Sequence, residues 1–146
     1  MIILDAVERV GVDAAGHAGH SLGEYSALTA SGAIDFEDGI RLVIERGSAM
    51  HESTTNQTGT MAAVLGIADE KVEEICSAVV DDVWVANYNA PGQVVIAGSP
   101  DGVEKAGEAA KGSGAKRVTS LEVSGAFHTP FMNSARQRLT AAIEAT

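Results

Sequence analysis

Ser21 stands in the run Gly19-His20-Ser21-Leu22-Gly23. A Gly-x-Ser-x-Gly run between a strand and a helix is the pattern of a nucleophile elbow. The glycines leave room for a sharp turn that lifts the hydroxyl clear of the chain. The helix starting at Leu22 then aims free N–H groups at a developing oxyanion. The chemistry implied is transfer of an acyl group through a covalent ester; the bland alternative is a tight turn in which Ser caps a helix. A serine hydroxyl needs a base. His17 and His20 flank the elbow, and His51 closes a helix. His128 lies 107 residues beyond Ser21 in Gly125-Ala126-Phe127-His128-Thr129-Pro130. Thr129 and Pro130 open a final helix, so His128 sits just outside a helix N-terminus, where the dipole disfavours imidazolium. A lone histidine is equally read as a surface or satisfied core residue.

Two arginines in Arg41-Leu42-Val43-Ile44-Glu45-Arg46 differ in phase. At ~100° per residue, Arg41 falls opposite the apolar face of Phe36, Ile40, Val43, Gly47 and Met50, where it is solvated. Arg46 falls on the margin of that face, about 80° from its centre. A guanidinium there suits bidentate grip of a carboxylate. The alternative is an Arg paired with Glu45 or another neighbour.

The elements that must position these groups follow from periodicity. Helical spacing covers residues 2–10, and 14–19 reads as a short buried strand entering the elbow. A second helix runs from Leu22 to Thr29 and stops at Gly32, and Asp35 then caps a third. Residues 53–59 read as a loop. Beyond residue 60, strand 61–67, helix 69–80, strand 83–87, strand 93–97, a helix capped by Ser99 with Pro100 at its first position, and strand 116–123 follow in turn. Between the middle strands, Ala90-Pro91-Gly92-Gln93 is a type II turn signature. The order β-α-β-β-α-β is the ferredoxin-like split pattern. The chain is thus expected to divide into 1–59 with the elbow, a compact 60–123, and 124–146 with His128.

Composition bounds the remaining options. The 146 residues suffice for one ordinary domain, and 45% hydrophobic residues can form a core. Aromatic residues make up 4%, while Ala and Gly abound, which suits close-packed α/β layers. The net charge of −10 disfavours a nucleic-acid surface, which needs clustered Lys and Arg. The single cysteine, Cys76, permits no internal disulfide and reads as a buried structural residue. No apolar run reaches the ~18 residues of a membrane span, and the first residues do not resemble a secretion signal. A cytoplasmic location is expected.

Four blocks together carry a resemblance: Gly19–Leu28, Arg41–Gly47, Asn87–Gly98 and Val123–Met132. They resemble the malonyl-CoA:acyl-carrier-protein transacylases of fatty-acid synthesis and the related acyltransferase domains of polyketide synthases. The resemblance implies part of an α/β-hydrolase-like large subdomain with an inserted ferredoxin-like (βαββαβ) small subdomain. It implies that Ser21 accepts malonyl from malonyl-CoA and passes it to the phosphopantetheine thiol of acyl carrier protein. His128 would be general base and then general acid, the Leu22 N–H an oxyanion donor, and Arg46 the group that binds the malonyl carboxylate. His20 would shape the pocket, and Phe127 would crowd a methyl branch. Asn87 and Asn89 fall in a block bordering the family's cleft without a catalytic role. No cofactor and no metal are implied.

The sequence also departs from the family. A Gly-Gln-Gly-Ser-Gln loop, which supplies a second oxyanion N–H, has no counterpart here, nor do the family's later strands with their Gly-Pro-Gly segment. The chain therefore reads as a fragment of about half a family member, expected to be inactive or poorly folded by itself; losing one oxyanion donor typically costs ~10²–10³ in rate. Two other functions compete. A serine hydrolase would need an acid between elbow and base; Asp81, Asp82 and Asp101 are available but fall in the inserted segment. A non-catalytic acyl-binding remnant is the third reading. For carrier-protein docking, Lys111, Lys116 and Arg117, or Arg136 and Arg138, offer local basic groups against the overall acidity.

Overall fold

A computed structural model describes residues 2–146, with helices α1 (Ile2–Arg9), α2 (Gly23–Ala30), α3 (Phe36–Asn56), α4 (Asp69–Ala78), α5 (Pro100–Gly112) and α6 (Asn133–Glu144). Strands are β1 (Thr60–Leu65), β2 (Val83–Ala90), β3 (Gln93–Gly98) and β4 (Arg117–Ser120), and a 3-10 turn covers Pro130–Met132. By contacts the chain forms two compact units, residues 1–48 with 138–146, and residues 49–137.

The first unit is helical. Asp35 caps α3 as its sequence predicts, its Oδ1 accepting the Asp38 N–H at 2.8 Å. The expected strand at 14–19 is not formed, and the segment is irregular and exposed. A strand exists by bonding to a neighbour, and among its described residues this unit has no other strand. The inward face of α3 is also rotated from the expected one. Gly39, Leu42 and Ala49 are buried and Arg46 half-buried, whereas Phe36, Ile40 and Gly47 are exposed. Gly39 permits this rotation, since a Cβ there would lie 2.6 Å from Oγ1 of Thr29 on α2.

The second unit is an antiparallel sheet in the order β2-β3-β1-β4 with α4 and α5 on one face. Alternation explains both layers. Ala62, Val64, Val94 and Ile96 pack beneath the two helices, with Val72, Ile75 and Cys76 of α4 and Val103 and Ala106 of α5. Met61, Val95 and Ala97 face the other way and are covered by Ala126, Phe131 and Met132. Gly92 has φ +72°, as the turn between β2 and β3 demands. Ser99 Oγ accepts the Gly102 N–H at 3.1 Å, capping α5 as expected. The contact units divide at residues 48/49 and 137/138, and Ala126, Phe131 and Met132 cover the sheet's second face. The last strand is shorter than 116–123, ending at Ser120.

Residues 53–56 are helical rather than a loop, so His51 lies inside α3. Their polar side chains bond back to the helix: Ser53 Oγ donates to the Ala49 carbonyl at 3.1 Å, and the Thr54 and Thr55 hydroxyls to that of His51. The buried Ser53 hydroxyl also meets Ser134 Oγ at 2.8 Å. Lys111, Lys116 and Arg117 do not share a face. Lys111 and Val118 border one cleft beside α5, whereas Arg117, pairing with Leu65, points to the opposite side of the sheet.

Cys76 is buried as expected, and burial pushes its thiol up to about 11. Protonated in the folded protein and ionised near pH 9 when unfolded, it contributes stability below that pH that is lost between about 9 and 11. Iodoacetamide at pH 8 is expected to leave Cys76 unmodified in the native chain and to alkylate it fully in denaturant, as read by mass spectrometry.

Candidate active site

The elbow is built from local geometry. Among the described residues, the two non-glycine positions with positive φ are Ser21 at 51° and His128 at 61°. These are the residues that sequence singled out as nucleophile and base. A left-handed backbone at a residue with a Cβ is strained and persists only where its surroundings enforce it. At Ser21 the enforcing bonds are Gly23 N–H to the His20 carbonyl at 2.9 Å and Glu24 N–H to the Ser21 carbonyl at 3.1 Å. Leu22 has α-helical angles as the N-cap of α2, so its N–H belongs to the first turn, where backbone donors are left over. Gly19 is indispensable to this packing. A Cβ there would overlap the carbonyl of Gly23 and the amide nitrogen of Glu24, whereas one at Gly23 would meet open space. Gly19→Ala is therefore expected to lower phosphonylation of Ser21 by a fluorophosphonate at least tenfold while Gly23→Ala changes it less than threefold; equal effects would show that the turn does not depend on Gly19.

Arg46 reaches this serine directly. Its Nη2 donates to Ser21 Oγ at 2.8 Å. The rotated inward face of α3 makes that contact, since it carries Arg46 on the half-buried stripe rather than on its margin. Tyr25, one turn into α2, feels the same charge. Burial pushes its phenol up, Arg46 opposes the shift and Glu24 adds to it. The pairing of Arg46 with Glu45 does not occur. Glu45 Oε1 instead accepts from Arg138, at 2.9 Å from Nε and 2.7 Å from Nη2. Arg41 is exposed, as its phase predicted, and pairs with Asp38. The Glu45–Arg138 pair, 93 positions apart, had no signature in periodicity or motif.

His128 is held in the second unit by anchors on both sides. Ala126 is fully buried, and added Cβ atoms at Gly59 and Gly125 would collide with Ala126 and Thr54. Thr129 Oγ1 donates to the Ala126 carbonyl at 2.6 Å and accepts the Phe131 N–H at 3.3 Å. Phe131 meets Trp84 edge to face at 5.5 Å between ring centroids. His128 itself is exposed between these anchors. The helix N-terminus expected after it is a three-residue 3-10 turn, with α6 beginning only at Asn133. Its dipole is correspondingly weaker than a full helix would give. Phe127 is half-buried against the Met61–Phe131 cluster, and His20 is exposed at the bend before Ser21. Among the described residues no group of three or more metal-ligating side chains occurs, and no helix is long and apolar enough to cross a membrane.

Residues 3–146 match the family described as acyl transferase domain. The chain belongs to the acyl transferase domain family. The malonyl CoA-acyl carrier protein transacylase of Bacillus subtilis is 43% identical over 146 residues, 98% of this chain and 46% of the relative. Its namesake in Escherichia coli K12 is 48% identical over 124 residues, 84% of this chain and 40% of the relative. A malonyl-transacylase solved with a type II polyketide-synthase acyl-carrier protein superposes with a TM-score of 0.92 at 42% identity, covering 98% of this chain and 47% of that one. The malonyl CoA-acyl carrier protein transacylase of Clostridium perfringens gives 0.91 at 42% identity, covering 99% and 46%. This acyltransferase chain thus spans about half the length of the relatives it matches.

Proposed function

We propose that this acyltransferase chain carries the malonyl-transfer chemistry of fatty-acid synthesis, moving malonyl from malonyl-CoA to the phosphopantetheine thiol of an acyl carrier protein. The observation that carries this reading is the Arg46 guanidinium donating to the hydroxyl of a positive-φ serine. A cation fixed on the nucleophile is where the free carboxylate of a malonyl group would be gripped. The Ser21 hydroxyl attacks the thioester carbonyl, and its proton passes to the His128 imidazole. The Leu22 N–H stabilises the oxyanion. Collapse breaks the carbon–sulfur bond, and the coenzyme A sulfur takes the proton from His128. The carrier thiol then gives its proton to His128 and attacks the ester, and Ser21 leaves with that proton. The reaction exchanges one thioester for another and calls for no cofactor. In this reading His20 shapes the acyl pocket and Phe127 crowds a methyl branch.

The four-stranded unit is then the family's ferredoxin-like small subdomain, a reading supported by its antiparallel order β2-β3-β1-β4 with both helices on one face. The segment around Ser21 is part of the α/β-hydrolase-like large one, and the setting is cytoplasmic. A polyketide-synthase acyltransferase is the second reading, favoured by the solved relative bound to a polyketide carrier protein. The hydrolase reading loses an acid, since Asp81 is tied to Lys105 at 2.6 Å.

The test grafts residues 3–146 in place of the matching segment of the Bacillus subtilis relative and assays the chimera with malonyl-CoA and its carrier protein. Malonyl-carrier formation far exceeding malonate release supports transfer. Malonate release without carrier acylation would overturn it in favour of hydrolysis.

A further inference from the structure

Resting on the carboxylate-binding reading of Arg46, we infer that Arg138 is a positioning residue for acyl-group selection, acting by withholding Glu45 from the field of Arg46. Arg46 forms no ion pair with a carboxylate among the described residues, and its hydrogen bond goes to the Ser21 hydroxyl. Yet Glu45 precedes it in α3, on the same half-buried stretch of helix. Two guanidinium nitrogens of Arg138, Nη2 and Nε, converge on a single Glu45 oxygen at 2.7 and 2.9 Å. Both side chains are about one-third exposed (38% and 34%), so this pair is screened less than a fully solvated one. Paired, Glu45 and Arg138 together are neutral, and the positive charge of Arg46 is uncompensated. Unpaired, Glu45 would add a bare negative charge to the same turn of α3 as the binding group, weakening the local positive field that attracts an anionic acyl group.

The competing role for the pair is a clamp between α3 and α6, and the two roles predict opposite patterns. In a clamp, either partner's loss is equally harmful and removing both restores nothing. In the electrostatic role only loss of Arg138 is harmful, because it alone leaves a bare carboxylate.

The experiment titrates the full chain with monomethyl malonate, which keeps one free carboxylate, and follows Arg46 side-chain NMR signals; dimethyl malonate is the uncharged control. Arg138→Leu is expected to weaken monomethyl malonate binding about fivefold to tenfold, by the repulsion of one nearby charge. Glu45→Gln is expected to bind as the parent chain does, and Arg138→Leu with Glu45→Gln to recover to within about twofold. Arg138→Lys, which keeps the charge, is expected to bind like the parent. Binding of the dimethyl ester is expected to be unchanged throughout. Equal weakening by Glu45→Gln and Arg138→Leu, with no recovery in the double variant, would establish the clamp and overturn the inference alone. Absence of binding that depends on Arg46, tested with Arg46→Ala, would overturn the carboxylate reading itself and the inference with it.

Discussion

Ser21→Ala is expected to abolish the covalent malonyl adduct and to lower transfer by on the order of 10⁴-fold or more, since no neighbouring atom replaces a lost nucleophile. The measurement is intact-mass detection of the malonyl-enzyme in the chimera, followed by mapping of the modified peptide. Among the described residues of its unit, Ser21 is the non-glycine position with positive φ, at 51°, on a turn that Gly19 allows and the first bonds of α2 complete. Alanine fits the same backbone at similar cost, so the fold is expected to survive and the chemistry to vanish. An adduct that persists in Ser21→Ala would sink the nucleophile assignment. Ser26, one turn further along α2, lies in regular helix and lacks the strained geometry.

Arg46→Ala is expected to lower kcat/KM for malonyl-CoA about 10²-fold, the scale of losing charge-assisted hydrogen bonds to a carboxylate. For acetyl-CoA the change is expected to be less than about threefold, because acetyl offers no charge to the guanidinium. The substitution also removes the Arg46–Ser21 hydrogen bond. Competition between the two thioesters in one reaction reads the preference directly. Equal losses for both substrates would show that Arg46 serves the serine rather than the acyl carboxylate. Arg46→Lys is expected to recover little, since an ammonium lacks the planar fork that matches a carboxylate.

Much of the site was legible in residue types and spacing. Gly19, Ser21 and the helix after them form a local device whose geometry depends on a few consecutive residues. The Asp35 and Ser99 caps and the Pro91-Gly92 turn are local in the same way, and each appears where its residues predict. Other expectations failed where distant residues decided. The strand at 14–19 required partner strands, and the described residues of this unit form none. The polar run from Ser53 resembled a loop, but it continues α3 with its hydroxyls satisfied by carbonyls three or four residues earlier. The inward face of α3 was misjudged because Gly39 lets α2 approach, a contact invisible in a period of 3.6 residues.

By itself the sequence determined the Gly-x-Ser-x-Gly run around Ser21, a β-α-β-β-α-β order over residues 60–123, and a helical start at Thr129 and Pro130 just after His128. These follow from backbone propensities and side chains acting within about five residues. The tertiary structure alone decided that Arg46 donates to the Ser21 hydroxyl, that Glu45 is claimed by Arg138, and that Gly59, Gly125 and Ala126 lock the loop around His128. Those outcomes depend on helix phase and on close approach between segments far apart in the chain. Charges and excluded volume act through space, and their partners are chosen only when the helices and the sheet have packed.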